Sequence, residues 1–284
     1  MEVYFMENEK ELKEAVKEKY GQIALQSEKS TSSCCCGSSS EPVSISCCCG
    51  SAGDANYTIM SDEYTNLQGY VAEADLNLGC GLPTQFAAIK EGDTVVDLGS
   101  GAGNDVFVAR SIAGEKGKVI GIDMTPEMIA KANRNNQKLG FKNVEFYLGE
   151  IEDIPLAENL ANVVVSNCVL NLVPDKSKAF SEMYRIIKPG GHFCVSDIVL
   201  KGELPQALRD SAAMYAGCVA GALEQEDYLA GIAEAGFADI EIKKSKVIDL
   251  PEETLKKFIS DEEIKSYKSG ERGIFSITVV GYKK

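Results

Sequence analysis

The sequence predicts an α/β fold in which a doubly wound, mostly parallel sheet carries helices on both faces. Three observations predict it. From about residue 90, short apolar strand patterns alternate with helical patterns. The first strand pattern runs into a glycine-rich loop that opens a helix. The composition, 44% hydrophobic and 25% charged residues in a chain of 284, is that of an ordinary globular protein.

Each element of the alternating part has its own justification. Short apolar runs bounded by glycine or turn residues predict five strands, over Thr94–Leu98, Lys118–Asp123, Val144–Leu148, Ala161–Ser166 and His192–Asp197. Helical periodicity predicts three helices, over Val106–Ala113, Pro126–Leu139 (closed by Gly140) and Lys176–Ile187 (stopped by Lys188-Pro189-Gly190-Gly191). After a long connection over Ser196–Leu223, the tail predicts a helix over Glu226–Ala235 and strands over Ile240–Lys244 and Phe275–Tyr282.

The N-terminal part has a different composition. Residues 8–26 show apolar positions at helical spacing and predict a helix. Ser27 to Gly53 is rich in serine and glycine and contains two Cys-Cys-Cys-Gly copies, at Cys34–Gly37 and Cys47–Gly50. Such a composition does not bury a core, so a mobile segment is expected. We therefore predict an N-terminal part over 1–60, a core over 61–197 and a C-terminal part over 198–284.

Charge, hydropathy and histidine content exclude several classes of function. The formal charge of −14 leaves no basic surface for nucleic acid or anionic membranes. No apolar stretch is long enough to span a bilayer, and the first residues lack the pattern of a signal peptide, so a cytoplasmic location is expected. The one histidine, His192, excludes a site with several histidine ligands, and we expect a solvated residue in a turn.

The glycine-rich loop indicates a cofactor site. Asp97-Leu98-Gly99-Ser100-Gly101-Ala102-Gly103 has the spacing Gly-x-Gly-x-Gly instead of the dinucleotide fingerprint Gly-x-Gly-x-x-Gly. Asp123 ends the next strand, about 20 residues further on, where an acid can accept both hydroxyls of a ribose. Together they predict a nucleoside-bearing cofactor at the carboxyl ends of the strands.

From residue 90 to residue 284 the chain resembles the Rossmann-like S-adenosylmethionine-dependent methyltransferases. The residues that carry this resemblance are the glycine-rich loop described above, Gly121-Ile122-Asp123-Met124 and the turn over Ile187–Gly191. The resemblance implies a seven-stranded sheet whose last strand, Phe275–Tyr282, is antiparallel. It also implies that S-adenosylmethionine is bound by residues of the loops after the first four strands: Asp97, Gly99, Ser100, Gly101, Gly103, Asp123, Met124, Gly149, Glu150, Ile151 and Asn167.

Cysteines indicate the substrate. Cys194 lies inside a predicted strand and is expected to fill the core. Cys80, Cys168 and Cys218 lie outside predicted strands, in segments that can cover the cofactor cleft. Thiolates are soft ligands, and three of them can bind trivalent arsenic pyramidally with its lone pair free. That lone pair can attack a sulfonium methyl without a general base, which agrees with the shortage of histidine.

The chain resembles the arsenite methyltransferases through Glu18–Gly21, the Cys-Cys-Cys-Gly motif, Leu78–Gly81, Asn167–Leu172 and Cys218–Leu223. This resemblance extends to nearly the whole chain. It implies that Cys80, Cys168 and Cys218 bind As(III) and take part in catalysis, yielding mono- and dimethylated arsenicals for detoxification. It further implies thiol exchange with an N-terminal cysteine, a reductant such as thioredoxin or glutathione, and a monomer. Two Cys-Cys-Cys-Gly copies stand where the family has one short cluster, so either Cys34–Cys36 or Cys47–Cys49 supplies that cysteine.

Two other functions compete with this one. The first is a methyltransferase of another small molecule, such as a quinone or an amine, which would leave Cys80 and Cys218 unexplained. The second is a thiol-rich metal- or metalloid-binding protein that uses the fold as a scaffold, with six clustered thiols for Zn(II) or Cu(I). The complete cofactor loop together with Asp123 argues against the scaffold.

Overall fold

A seven-stranded sheet forms the centre of the computed structural model, which describes residues 2–31, 62–209, 219 and 221–284. The strand order is β3-β2-β1-β4-β5-β7-β6. The strands are β1 (Thr94–Leu98), β2 (Lys118–Asp123), β3 (Val144–Leu148), β4 (Ala161–Asn167), β5 (Ile187–Lys201), β6 (Ala238–Val247) and β7 (Gly273–Tyr282). β1 to β5 pair in parallel, and β7 is antiparallel to both β5 and β6. The predicted fold class and its antiparallel last strand are confirmed.

The described helices flank this sheet and connect its strands. They are α1 (Glu2–Thr31), α2 (Pro83–Phe86), α3 (Asn104–Ala113), α4 (Pro126–Leu139), α5 (Lys176–Ile186), α6 (Gln225–Glu234), α7 (Glu252–Leu255) and α8 (Asp261–Ser269). No helix of the described part is both long and apolar enough to cross a membrane.

The central strands consist largely of apolar residues because both of their faces are buried. In β1, Val95, Val96 and Leu98 are fully buried, because helices cover both faces of the parallel part. The edge strand β6 instead alternates exposed and half-buried residues. Since the carboxyl ends of parallel strands meet at one edge, the loops after β1, β2, β3 and β4 converge there.

Two predictions at the element level need correction, and a third lies outside the described residues. Ser27 to Thr31 were assigned to the mobile segment but continue α1, whose inner face is still partly buried at Ser27. His192 is not a solvated turn residue. It lies half-buried in β5, paired with Tyr282, and its Nε2 is 2.6 Å from the carbonyl oxygen of Ala87. The six N-terminal cysteines lie outside the described residues, so the mobility of their segment stays a prediction.

Candidate active site

A cavity opens where the loops after the first four strands converge. Its lining includes most of the residues predicted to bind the cofactor, and also Cys168: Asp97, Gly99, Ser100, Gly101, Asp123, Met124, Gly149, Ile151, Asn167 and Cys168. Gly103, Glu150 and Cys80 are not part of this lining. Gly103 caps the N-terminus of α3, and Glu150 pairs with lysines of α1.

The glycine-rich loop packs tightly against the end of β4. Gly99 has a φ of +73°, and a Cβ there would lie 2.4 Å from the Val169 side chain. Such a contact excludes any larger residue at position 99. Asp123 holds the loop from the other side, since its Oδ2 accepts from the Gly101 amide at 2.9 Å and its Oδ1 accepts from Thr125 N at 2.8 Å.

Buried carboxyl groups give the cavity an acidic lining. Burial raises the pKa of Asp97 well above its ordinary value, and the charges of Asp105 and Asp123 raise it further. Burial also raises the pKa of Asp105 to about 6, although hydrogen bonds from Asn167 and Tyr64 act in the opposite direction. Asp105 was missed at the sequence level, because an acid in the first turn of a helix ordinarily only stabilises that helix.

The donor and acceptor set fits a polar nucleoside–amino-acid cofactor. Among the described residues, Ser100 Oγ in the loop after β1 and Asn104 Oδ1 at the start of α3 are buried oxygen atoms without a hydrogen-bond partner. Both residues line the cavity. Buried polar atoms of this kind are ordinarily satisfied, so they indicate a site shaped for a polar ligand.

Helix α1 covers one side of the cavity, which the sequence did not predict. Lys13, Val16 and Tyr20 contribute to the lining. Lys13 Nζ lies 2.8 Å from Glu150 Oε2 and 3.0 Å from Glu152 Oε1. Burial lowers the pKa of Lys13, but the two glutamates outweigh that effect and raise it. The helix is thus fastened to the loop after β3.

Beside the cavity, two of the predicted arsenic-binding thiols come together. The Cys80 and Cys168 sulfur atoms and a carboxylate oxygen of Asp197 all lie within 4.8 Å of one another. The three residues are 1%, 3% and 0% exposed. Asn167 holds the Cys80 loop, since its Oδ1 accepts from Cys80 N at 3.0 Å. A Cβ on Gly79 would lie 2.6 Å from Asn167 Nδ2, so this approach requires glycine.

Cys168 has an unusual backbone. Its φ is +62°, in the left-handed region that residues other than glycine seldom occupy. Its amide donates to the carbonyl oxygen of Ser196 at 2.7 Å, which fixes the turn after β4. Strain of roughly 1–3 kcal/mol in such a conformation concentrates at functional sites. The turn directs the chain out of β4 next to both the cavity and Cys80.

Asp197 is a further residue that sequence reasoning missed. Its Oδ1 accepts from Asn171 Nδ2 and Ile198 N at 2.9 Å each, and its Oδ2 accepts from Tyr228 Oη at 3.2 Å. Burial raises its pKa to about 7, against the effect of these donors and of Lys176. The acid at the end of the predicted strand His192–Asp197 was visible, but its proximity to two thiols depends on the fold.

The other two cysteines differ in what the structure shows. Cys194 lies fully buried in β5 and donates to the carbonyl oxygen of Pro83 at 3.2 Å. Burial raises the pKa of its thiol far above the ordinary range. Cys218 lies outside the described residues. Its neighbour Val219 is described, and it is buried in the apolar cluster that contains Cys80 and Cys168.

Comparisons with known proteins fit this geometry. A family described as a methyltransferase domain matches residues 89–236, more than half of the chain. The arsenite methyltransferase of Aquipseudomonas alcaligenes is 33% identical over 255 residues, which cover 87% of this chain and 68% of that protein. The chain belongs to the arsenite methyltransferase family. Another member, from Halobacterium salinarum, is 41% identical over 88% of this chain and 62% of its own length.

A solved structure extends the family likeness to three dimensions. The arsenic(III) S-adenosylmethionine methyltransferase from Chlamydomonas reinhardtii matches with a TM-score of 0.59 and 34% identity. The match covers 82% of this chain and 75% of that one. The matched part of this chain spans 62%, 68% and 75% of the length of the proteins from Halobacterium salinarum, Aquipseudomonas alcaligenes and Chlamydomonas reinhardtii, respectively.

Proposed function

We propose that this chain catalyses S-adenosylmethionine-dependent methylation of trivalent arsenic, converting arsenite to mono- and dimethylated arsenicals in arsenic detoxification. The observation that carries the proposal is the pair of buried thiols, Cys80 and Cys168, beside a cavity that is lined by the glycine-rich loop and Asp123. A methyltransferase of quinones or amines has no use for such a pair. A metalloid-binding scaffold has no use for Asp123 and the glycine-rich loop.

Cys80, Cys168 and Cys218 are assigned as the arsenic ligands. The proximity of the Cys80 and Cys168 sulfur atoms supports the first two, and the burial of Val219 in the same apolar cluster supports the third. S-adenosylmethionine supplies a methyl group on a sulfonium, and the lone pair of thiolate-bound arsenic is the nucleophile. Thiolate sulfur binds a soft centre more strongly than water does, which keeps arsenic trivalent and fixed.

The cofactor is assigned to the cavity residues after β1, β2, β3 and β4, with Asp123 at the ribose. Asp123 already receives two backbone amides, yet a carboxylate has about four acceptor positions and retains two for hydroxyl groups. We also assign Gly103 and Glu150 to this site. Gly103 is the N-cap of α3, and Glu150 lies in the loop after β3, where it pairs with Lys13 of α1.

Attack by the arsenic lone pair on the methyl carbon would form the As–C bond, break the bond from that carbon to the sulfonium sulfur and release S-adenosylhomocysteine. Arsenic would thereby be oxidised formally from As(III) to As(V). Two thiolates that join as a disulfide return two electrons to arsenic, and a thiol reductant such as thioredoxin or glutathione then reduces that disulfide. An N-terminal cysteine among 34–36 or 47–49 is proposed to exchange with the site. The proposal further includes a cytoplasmic monomer whose N-terminal part is 1–60, whose cofactor core is 61–197 and whose substrate-covering part is 198–284.

The decisive experiment incubates the protein with arsenite, methyl-labelled S-adenosylmethionine and glutathione, followed by arsenic speciation. The proposal expects labelled mono- and dimethylarsenicals. Cys168→Ser and Cys218→Ser should abolish them while cofactor binding persists, because oxygen is a harder and weaker ligand for As(III). Cys194→Ser is the matched control and should remain active. An active Cys168→Ser protein, or an inactive but folded Cys194→Ser protein, would contradict the assignment of the thiols.

A further inference from the structure

The backbone of Cys80 is held on both sides of its Cα by hydrogen bonds to side chains. Its amide donates to Asn167 Oδ1 at 3.0 Å, and its carbonyl oxygen accepts from Ser276 Oγ at 2.6 Å. Ser276 belongs to β7, is 5% exposed and lies 196 positions from Cys80 in the sequence. A buried hydroxyl group is ordinarily satisfied by a specific partner. The partner of Ser276 is the loop that carries Cys80.

The second thiol is held by the strand next to β7. The amide of Cys168 donates to the carbonyl oxygen of Ser196 in β5 at 2.7 Å. Ser196 pairs with Thr278 of β7, two residues from Ser276. The antiparallel register of β5 and β7 thus sets the separation between the two backbone attachments, and with it the separation between the thiols.

The glycine after Cys80 lets the loop approach both strands. A Cβ on Gly81 would lie 2.6 Å from Ser196 Oγ and 3.4 Å from Thr278 Oγ1, so the approach requires glycine. The hydroxyl groups of Ser196 and Thr278 hydrogen-bond to each other at 2.9 Å. The hydroxyl group of Ser276 instead joins β7 to the loop.

We propose that Ser276 is a positioning residue that sets the Cys80 thiol at binding distance from the arsenic on Cys168, and so determines whether an arsenical that needs three thiolates is accepted. This inference rests on the proposed function. Arsenite has three hydroxyl groups for thiolates to replace, and each leaves as water with a thiol proton. Monomethylarsonous acid has only two, because a methyl group occupies the third position on arsenic. A displaced Cys80 therefore impairs methylation of arsenite more than that of monomethylarsonous acid.

The test compares the rates at which Ser276→Ala and the parent methylate arsenite and monomethylarsonous acid, with S-adenosylmethionine and glutathione. Loss of one hydrogen bond to the Cys80 loop should slow methylation of arsenite about fivefold or more and change that of monomethylarsonous acid less than about twofold. A merely structural role would lower both rates alike. Equal losses for the two substrates, or no loss with either, would overturn the assignment.

Thr278→Val is the matched control. Thr278 is 1% exposed and lies on the same strand and face as Ser276, but its hydroxyl group pairs with Ser196 and not with the Cys80 loop. Valine keeps the shape of the side chain, so the ratio of the two rates should stay at the parental value. If Thr278→Val changes that ratio as much as Ser276→Ala does, loss of any buried hydroxyl group on β7 explains the effect and the assignment of Ser276 is refuted.

Alkylation of the ligand-free protein separates a failure of this inference from a failure of the proposed function. Ser276→Ala should raise the rate of iodoacetamide modification of Cys80 relative to Cys168 several-fold, because the Cys80 loop opens more readily. Mass spectrometry quantifies the modified peptides, and Thr278→Val should leave their ratio unchanged. An unchanged ratio in Ser276→Ala would refute the positioning role whatever the protein methylates. If the ratio rises but the parent methylates neither arsenical, Ser276 positions Cys80 and the proposed function is wrong.

Discussion

At the scale of single residues, Asp123 supports the glycine-rich loop and is also assigned to the ribose. Its carboxylate accepts from the amides of Gly101 and Thr125 and so keeps the loop in place. Substitution by alanine would remove this support together with the proposed ribose contact. Asparagine keeps one acceptor oxygen and the side-chain shape, and is therefore the cleaner probe of the ribose site.

We predict that Asp123→Asn weakens S-adenosylmethionine binding about 100-fold while the fold survives. Two hydrogen bonds from ribose hydroxyls to a carboxylate contribute about 1.5–3 kcal/mol each, and an amide replaces only part of that. Calorimetry gives the affinity, and urea unfolding of the ligand-free protein checks the fold. Unchanged affinity in a folded variant would remove Asp123 from the ribose site.

Cys80 is predicted to be needed for one methylation and not for the next. Arsenite carries no methyl group and uses three thiolates, whereas monomethylarsonous acid needs only two. Cys80→Ser should therefore block methylation of arsenite and spare methylation of monomethylarsonous acid, as measured by speciation of each product. The Cys194→Ser protein serves as control for both substrates. Parental rates on arsenite in Cys80→Ser would mean that Cys80 is neither ligand nor reductant.

We predict that the free energy of unfolding depends on pH through Asp105. Its pKa is raised by burial to about 6, above the value of about 3.9 in an unfolded chain. The folded state then binds more protons at Asp105 than the unfolded state does between these values. The contribution of Asp105 to stability is therefore fully present below about pH 4 and is lost as the pH rises through about 6. A shift of about two pKa units corresponds to about 3 kcal/mol. Tyr64, Asn167, Thr84, Asp75 and Asp97 are the groups that act on it or share the effect.

Urea unfolding of the ligand-free protein at pH 4, 5, 6 and 7 checks this. The free energy of unfolding of the parent should fall relative to that of Asp105→Asn by roughly 2–3 kcal/mol over the range. Asparagine can keep an oxygen toward Tyr64 and Asn167, so the amide isolates the charge. Parallel curves for the two proteins would show that Asp105 titrates normally.

At the scale of elements, the sequence predicts the bounds of a strand correctly where the strand's own run of apolar residues determines them. β1 and β2 are buried apolar runs, and both have the bounds predicted from their sequences. β5 extends to Lys201, four residues further than predicted, because Ile198–Lys201 pair with Gly273–Ser276 at the far end of the chain. No local pattern contains that pairing.

Helix α8 was missed although its signal was present. Ser260 and Glu263 form a capping box, in which each side chain accepts from the backbone of the other. This Ser-x-x-Glu spacing is readable in the sequence.

The candidate site could be predicted only in part from the sequence. The cysteines and the glycine-rich loop could be identified from their local patterns. Asp105, Asp197 and Tyr64 could not, because their partners are distant in the sequence.

Helix α1 is predicted to control cofactor exchange. Its ion pairs from Lys13 to Glu150 and Glu152 are partly buried, with Glu152 only 8% exposed, so salt screens them incompletely. Lys13→Met keeps the apolar stem and removes the charge. It should speed dissociation of S-adenosylhomocysteine about fivefold, for about 1 kcal/mol of lost pairing, in stopped-flow displacement. Lys10→Met, an exposed position one turn away, is the control. Equal rates in both variants would show that α1 does not hold the cofactor.

At the scale of the whole molecule, methyl transfer and thiol regeneration are assigned to different parts of the chain. The cofactor loop, Cys80 and Cys168 are held in the described core, whereas the six cysteines at 34–36 and 47–49 lie outside it. If those cysteines exchange with the site, they act after the first methyl group has been transferred. Their loss should therefore leave the first turnover intact and slow the later ones.

Replacing all six by serine tests this without shortening α1 or the chain, which deletion of 27–53 would do by removing Ser27 to Thr31 of the helix. In single-turnover experiments with arsenite, the variant should match the parent, and its affinity for S-adenosylmethionine should be unchanged. In the steady state with thioredoxin or glutathione, its turnover should fall several-fold, because the disulfide left by reduction of arsenic waits on a slower exchange. Restoring either triplet alone then identifies the one that exchanges. A variant with parental steady-state turnover would show that the core thiols are regenerated directly by the external reductant.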